Sequence, residues 1–211
     1  MLDDILRGLT WLGHDAFRLR AGGRVIYFDP YQLPIGNHEQ ADLILVSHDH
    51  FDHCSPVDIL RLRKAETVIV ANPAAAAKCE GRVKVMRAGE RLVLDDIKIE
   101  AVPAYNLNKK FHPREHGGLG FIVRVAGVRI YHAGDTDHIP EMAAIRADLA
   151  LLPVSGTYVM TAEEAAAAAL EIKPRVAMPM HFGSVVGSLD DARRFAALLA
   201  DKIRVVLPEQ G

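Results

Sequence analysis

The alternation of apolar and polar residues predicts a first half made of short strands. Residues 17–20 alternate, residues 21–23 can form a turn, and residues 25–28 are apolar, which together predict a β-hairpin. An apolar run at 43–46 predicts a buried strand. A helix over 56–64 is expected next, because Ser55 is a favourable cap and Pro56 suits a first helical position. The remaining elements predicted in this half are strands at 67–71, 83–86, 91–94 and 97–102 and a short helix at 73–78.

The second half continues in the same way after a long loop at 103–120. Strands are predicted at 121–125, 128–131, 149–153, 176–180 and 205–207. A capping box that begins at Thr161 predicts a helix through Ile172, and Ser188 begins a last amphipathic helix. Residues 17–29 and 121–135 share one layout of strand, Ala-Gly turn, strand and aspartate. This similarity predicts two related halves with a site between them.

Three histidines and two aspartates fall within residues 47–53, directly after the predicted strand at 43–46. His48, His50, Asp52 and His53 follow the spacing His-x-His-x-Asp-His. A buried strand delivers its last residues to a sheet edge, where loops build functional sites. Because imidazole and carboxylate ligands suit zinc, iron or manganese, this loop predicts a metal site.

Further histidines and aspartates follow other predicted strands. The additional candidate ligands are His112 or His116, Asp135 and His181. The whole set exceeds the four ligands of a structural zinc and suffices for two metals that share a bridging carboxylate. Asp29 is expected either to accept a hydrogen bond from a ligand histidine or to form a turn. His14 is expected either to line the same cleft or to be structural.

Composition narrows the class of protein. The net charge is −2 and the isoelectric point is near 6.5, which favours no nucleic-acid partner. No apolar run approaches the roughly 18 residues of a membrane span, and the acidic start is unlike a signal peptide, so a cytoplasmic protein is expected. The two cysteines imply no disulfide framework, and Cys54 is expected to be a small buried side chain rather than a ligand.

In these motifs the chain resembles the metallo-β-lactamase superfamily of metal-dependent hydrolases, and within it the ascorbate-phosphate-lactonase-like group. The matching residues are His48-x-His50-x-Asp52-His53, Gly134-Asp135-Thr136, the late strand-end His181 and the early strand-end Asp29. The resemblance covers nearly the whole chain. It implies an α+β fold, namely a four-layer αββα sandwich of two mixed β-sheets flanked by helices. It also implies that residues 1–211 form a single domain of two similar halves.

The resemblance further implies two divalent metal ions, with zinc preferred and manganese or iron as alternatives. The implied ligands are His48, His50 and a mid-chain histidine for one ion, Asp52, His53 and His181 for the other, and Asp135 as the bridge. Many family members have the mid-chain histidine directly after a strand, where this chain has Asn106. The ligand must then come from the long loop, and His112 is preferred over His116.

The implied activity is hydrolysis of an ester, lactone or phosphoester-type small molecule by a metal-bridging hydroxide. Asp52 would orient the hydroxide or relay its proton, and the metals would stabilise the oxyanion. Tyr158 and Thr157 are candidates for the cleft wall, with ordinary loop packing as the alternative. The competing functions are a metal-binding sensor without turnover and a redox di-iron protein. Assembly into a homo-oligomer stays open.

Overall fold

The computed structural model describes residues 1–210, in which two β-sheets form the centre. The first sheet has six strands in the order β1-β2-β3-β4-β5-β6. Their bounds are β1 Leu9–Gly13, β2 Ala16–Ala21, β3 Arg24–Phe28, β4 Ala41–Val46, β5 Arg63–Ala71 and β6 Arg82–Val85. Strands β1 to β3 are antiparallel, whereas β3 to β6 run parallel.

The second sheet has seven strands in the order β13-β12-β11-β10-β9-β8-β7. Their bounds are β7 Arg91–Leu94, β8 Ile97–Pro103, β9 Leu119–Val125, β10 Val128–His132, β11 Leu149–Pro153, β12 Val176–Met180 and β13 Arg204–Val205. Strands β7 to β10 are antiparallel, and β10 to β13 are parallel. The two hairpins with similar sequences, β2–β3 and β9–β10, each lead into the parallel part of their own sheet.

Five α-helices occur in residues 1–210. They are α1 Leu2–Gly8, α2 Pro56–Leu62, α3 Pro73–Ala76, α4 Ala162–Ile172 and α5 Leu189–Leu199, with short 3-10 helices at Arg114–His116 and Pro140–Ala144. The Ser55 side chain accepts from the Asp58 backbone at the start of α2, and Thr161 and Glu164 form a reciprocal capping box at α4. None of these described helices is long and apolar enough to cross a membrane.

The side-chain alternation along β4 builds the layers. Leu43 and Leu45 join the large core that also contains second-sheet residues such as Leu151, so the two sheets pack face to face. Ile44 and Val46 point the other way and join the smaller core with α2 residues. The predicted αββα sandwich of two mixed sheets flanked by helices is therefore confirmed.

Several boundaries differ from the sequence prediction. Helix α1 and strand β1 were not predicted, because α1 has only seven residues and a register shift between Trp11 and Gly13 interrupts the alternation of β1. The predicted helix at 56–64 ends at Leu62, where the extended backbone of Arg63 begins β5. The predicted strand at 205–207 is replaced by the two-residue β13.

Candidate metal centre

The candidate ligands lie where strands of both sheets end. His48 and His53 follow β4, Asp135 follows β10 and His181 follows β12. These strands belong to the parallel part of each sheet, so their carboxyl ends meet at one edge, which is where such sheets commonly place sites. The turn between β1 and β2 adds His14 from the first sheet.

One group of possible ligands contains His48, His50 and His112, whose ligand atoms all lie within 4.8 Å of one another. His112 is buried, and its Nε2 atom is 3.1 Å from Nδ1 of His50. His116 is exposed in the 3-10 helix four residues further on. The structure thus brings His112, and not His116, to the residues of the His-x-His motif.

A second group contains His14, Asp52, His53 and His181, whose ligand atoms also lie within 4.8 Å of one another. The family resemblance grouped Asp52, His53 and His181, and His14 was expected either to line the cleft or to be structural. His14 Nε2 is 3.3 Å from Asp52 Oδ2, and both side chains are buried. His14 therefore belongs to the same cluster as the three expected ligands.

Asp135 lies between the two groups. Its Oδ2 atom is 3.2 Å from Nε2 of His112, 3.3 Å from Nε2 of His181 and 4.0 Å from Nε2 of His48. Its Oδ1 atom is 3.3 Å from Nε2 of His53. One carboxylate therefore faces four histidines that come from both groups, which is the arrangement a bridging ligand requires.

Hydrogen bonds from the opposite ring nitrogen orient the two deepest histidines. His53 Nδ1 is 2.8 Å from Asp29 Oδ2, and His181 Nδ1 is 2.8 Å from Ser155 Oγ. A carboxylate can only accept, so His53 Nδ1 carries the proton and Nε2 is the atom that faces Asp135. Asp29 also accepts from the backbone N–H of Ser47 at 2.7 Å and from its hydroxyl at 2.6 Å.

His48 and His112 are oriented in the same way. The Ser47 hydroxyl donates to Asp29, and its oxygen accepts from His48 Nδ1 at 3.0 Å. Asn106 Oδ1 is 3.2 Å from His112 Nδ1 and accepts from the His112 backbone N–H at 3.0 Å. Asn106, which stands where many family members have a histidine, therefore holds the histidine that the long loop supplies.

Buried polar atoms at the centre lack partners within residues 1–210. Nε2 of His48, His53 and His181 and Oδ1 of Asp135 have no hydrogen bond. Such orphaned groups are rare in native proteins and mark places where an ion or a water binds. A divalent cation would satisfy them, and the mixture of imidazole and carboxylate groups fits zinc, manganese or iron. The residues present therefore fit a metal centre.

The charges of this cluster are strongly interdependent. Burial opposes the charged forms of His53 and His181, but the Asp135 carboxylate overcomes it and raises the pKa of both histidines. Burial likewise opposes ionisation of Asp135, yet His181 and His53 hold its pKa well below the usual range. Burial lowers the pKa of His48 and of His112, which favours the neutral imidazole that a metal needs.

Backbone conformation at the site is unusual. His14, Asp29 and His181 have positive φ angles of 50°, 39° and 59°. Such left-handed conformations in residues other than glycine cluster at functional sites, where the surrounding structure maintains them. Gly134 has φ 62°, and a Cβ there would lie 2.6 Å from the Leu119 carbonyl oxygen, so the Gly-Asp motif requires glycine before Asp135.

Sequence reasoning missed several residues of this region. Ser47, Ser155 and Asn106 orient ligand histidines, but a serine or an asparagine after a strand gives no specific signal of such a role. Asp15 was also missed, although it follows His14 directly. Its carboxylate is fully buried without a hydrogen-bond partner among the described residues, it lies 3.8 Å from His53 Nδ1, and burial raises its pKa well above the usual range.

A cavity of about 300 Å³ opens above the cluster. Its residues are His50, Asp52, His112 and Asp135 from the cluster and Phe51, Phe111, Tyr158 and Val185 around them. The sequence offered Tyr158 and Thr157 as cleft residues. Tyr158 lines the cavity, whereas Thr157 is exposed and does not. The candidate ligands are thus accessible to a small molecule through a largely apolar opening.

Comparison with known proteins agrees with this geometry. Residues 8–181 match the family model described as a beta-lactamase superfamily domain. A UPF0173 metal-dependent hydrolase of Methanoculleus marisnigri is 34% identical over 215 residues, which cover 96% of this chain and 94% of that protein. The crystal structure of a Parabacteroides distasonis protein is 35% identical, with a TM-score of 0.87, and the match covers 96% of this chain and 93% of that one.

A Thermotoga maritima protein of the metallo-β-lactamase superfamily shares the fold, with a TM-score of 0.66, 24% identity and coverage of 95% of this chain and 97% of that chain. The chain therefore belongs to the metallo-β-lactamase superfamily, as its sequence motifs indicated.

Proposed function

We propose that this protein is a metal-dependent hydrolase of small-molecule esters, with a dinuclear centre that takes zinc, or else manganese or iron. The first ion would be held by His48, His50 and His112. The second would be held by Asp52, His53 and His181, with Asp135 shared between the two ions. The similarity to relatives named as metal-dependent hydrolases supports the general activity. The fine assignment rests on the geometry of this chain.

The single observation that carries the proposal is the position of Asp135. Its two oxygens lie within 3.2 to 3.3 Å of Nε2 atoms from His112, His181 and His53, which belong to different ligand groups. A structural site would need only four ligands and would be closed to substrate. This cluster offers more than four and lines an open cavity, which is the pattern of a catalytic centre.

Two divalent ions held by these residues would supply a water nucleophile that is reactive at neutral pH and a positive charge for the developing oxyanion. The protein's own contribution is orientation. Asp29, Ser47, Asn106 and Ser155 fix the ligand rings. Three of those rings follow strands of the two packed sheets, and His112 is held in the long loop by Asn106. Little reorganisation is then needed when the substrate reacts.

Asp52 has a second role in this proposal. It belongs to the second ligand group and also lines the cavity, so one carboxylate oxygen is available to the attacking water. Burial opposes its ionisation, but the adjacent His14 ring, whose Nε2 lies 3.3 Å from Asp52 Oδ2, prevails and lowers the pKa of Asp52. Asp52 therefore remains an anionic acceptor that orients the water, while His14 positions Asp52.

The test is to strip the purified protein with a chelator, reload it with zinc, manganese or iron, and measure bound metal and hydrolysis of ester and phosphoester substrates. Two ions per chain and metal-dependent hydrolysis are expected. His181→Ala should lose one ion and most activity. His138→Ala is the matched control, because His138 is partly exposed and bonds Glu171 away from the cluster.

A metal-loaded protein that binds two ions but hydrolyses none of the substrates would contradict the enzymatic proposal and favour the sensor alternative. One tightly bound ion per chain with full activity would contradict the dinuclear centre.

A further inference from the structure

The wall of the cavity carries exposed aromatic groups that the metal chemistry does not explain. Five of the seven phenylalanines are buried in the core. The other two, Phe51 and Phe111, are 66% and 47% exposed, and both line the cavity. Val185, 37% exposed, lines it as well. Exposed apolar side chains that lie together at one concave site, while the other phenylalanines are buried, indicate a binding surface.

Each of the two phenylalanines packs against a tyrosine. Phe111 packs edge-to-face against Tyr158, with ring centroids 4.5 Å apart, and Phe51 does the same with Tyr31 at 5.8 Å. Phe51 stands between His50 and Asp52, and Phe111 directly precedes His112, so the loops that supply the ligands also supply the wall. An apolar group bound there would have a fixed position relative to the metals.

No fixed positive charge faces the cavity. Within residues 1–210, no lysine or arginine lines it. Three basic side chains of the surrounding loops pair with acids: Lys78 with Asp49 at 2.8 Å, Lys109 with Asp137 at 2.5 Å and Arg114 with Glu141 at 2.8 Å. Lys110, next to Phe111, forms no ion pair within residues 1–210, but it is exposed and does not line the cavity. Enzymes that transfer or cleave phosphoryl groups commonly add arginine or lysine to the metals for the anionic oxygens. This site lacks that feature in the part of the chain described.

We propose that the substrate is an uncharged carboxylic ester or lactone, and that Phe51, Phe111, Tyr158 and Val185 bind its apolar acyl group. The inference rests on the proposed hydrolase function and narrows its substrate class. Water adds to the carbonyl carbon, the carbon–oxygen bond to the alkoxy group breaks, and a proton from the water passes to the leaving oxygen. The products are a carboxylic acid and an alcohol. The cavity volume lies at the lower end for ligand sites, so the acyl group is compact.

The test compares p-nitrophenyl acetate, butyrate and hexanoate with bis(p-nitrophenyl) phosphate and p-nitrophenyl phosphate, using the metal-loaded protein. The kcat/KM for hexanoate should exceed that for acetate by about tenfold, as burial of several methylenes allows, and should exceed that for either phosphate. Phe51→Ala and Phe111→Ala should each lower kcat/KM for hexanoate several-fold more than kcat/KM for acetate. Leu60→Ala is the control, since Leu60 is 59% exposed on α2 and does not line this cavity.

Preferential hydrolysis of a phosphate ester, or equal kcat/KM for acetate and hexanoate, would overturn the substrate class and leave the hydrolase proposal standing. Absence of all hydrolysis would instead contradict the hydrolase proposal. In that case a binding measurement tests the apolar pocket. Ligand-observed NMR should detect binding of hexanamide to the metal-loaded protein. The Phe51→Ala/Phe111→Ala double variant should not bind hexanamide. Failure of hexanamide to bind, or equal binding by the variant, would overturn the apolar pocket.

Discussion

The two candidate metal positions differ in how the fold builds them. The second position rests on His53 and His181, which have no exposed surface and are oriented by Asp29 and Ser155. His181 directly follows β12, and His53 lies in the short loop between β4 and α2. The first position depends on His112, which a long loop carries, and on the partly exposed His50. The second position, called the deep position below, is formed by buried residues after strands. The first, called the shallow position, is completed by a long loop.

The two positions differ in the contacts that hold their ligand side chains in place. The end of β12 fixes His181, and the short loop between β4 and α2 fixes His53, whose backbone N–H donates to the His50 carbonyl oxygen at 3.1 Å. The long loop needs its own bonds: Asn106 holds His112, and the Asp137 carboxylate accepts from the Asn106 side chain at 3.1 Å and from the Leu107 backbone at 2.8 Å. We expect the first ion to be the weaker and more exchangeable of the two.

The substitution with the largest expected effect on metal binding and activity removes the carboxylate that both metal positions share. Asp135→Asn replaces the central carboxylate with a neutral side chain of the same shape. Both ions should bind much more weakly, and kcat should fall by about 10³-fold or more, since charge stabilisation is commonly the largest catalytic contribution. Metal analysis and ester hydrolysis check this outcome. Retention of both ions at wild-type affinity would show that Asp135 is not the bridge.

A smaller effect on activity is expected for substitutions in the long loop, where His112 and His116 can be compared. His112→Ala should release one ion per chain and lower activity by roughly 100-fold, because one of the two charges at the reacting centre is lost. His116→Ala should retain both ions and change activity less than twofold, since His116 is exposed. Loss of metal from the His116 variant instead would move the ligand four residues along the loop.

A still smaller effect should distinguish the residues that orient the ligands. Asp29→Asn should weaken binding of the deep ion by about 10- to 100-fold, because an outer partner of a ligand histidine typically contributes that much. Asn106→Ala should weaken the shallow ion by a similar factor and leave the deep ion nearly unchanged. Stepwise titration with a chelator measures both. Equal weakening of both ions in each variant would remove the distinction between the positions.

The smallest effect concerns the metal-free protein and pH. Because Asp135 raises the pKa of His53 and His181, their stabilisation is complete below the ordinary histidine pKa of about 6.5 and is lost as the pH rises through their folded pKa values. The free energy of unfolding should fall above pH ~6.5 by at most about 1.4 kcal/mol per pH unit for each histidine. Denaturant titrations of the metal-free protein test the slope.

Asp135→Asn provides the matched control for that measurement, since the raised pKa values depend on its charge. The slope should largely disappear in this variant. In the metal-loaded wild-type protein the trend should reverse, because protons compete with the ions for the same nitrogen atoms and metal affinity rises with pH.

The deep position was largely predictable from sequence and the shallow one less so. Asp52 and His53 of the deep position, and His48 and His50 of the shallow one, lie within six residues after one strand, so local geometry alone brings these four together. Asp135 and His181 follow parallel strands, whose carboxyl ends share an edge. The choice of His112 over His116 needed the family resemblance, because the hydrogen bonds of Asn106 that set the loop's path leave no pattern in the sequence.

His14 shows why other parts of the site were not predictable. Its position beside Asp52 depends on β1, a short strand with a register shift that periodicity does not reveal. The positive φ angle that directs its backbone carbonyl to the His181 N–H at 3.1 Å is equally invisible in the sequence. The unpartnered carboxylate of Asp15 became apparent only when its burial was known.

The metal cluster straddles the seam between the sheets. His14, Asp29 and the His-x-His-x-Asp-His residues belong to the first sheet, whereas Asp135 and His181 belong to the second. A partly assembled chain, with one sheet formed and the other not yet docked, has no complete set of ligands for either ion. Metal uptake should therefore follow assembly of the two sheets. A core substitution that loosens their contact, far from any ligand, should be visible first as metal loss while the secondary structure is still intact.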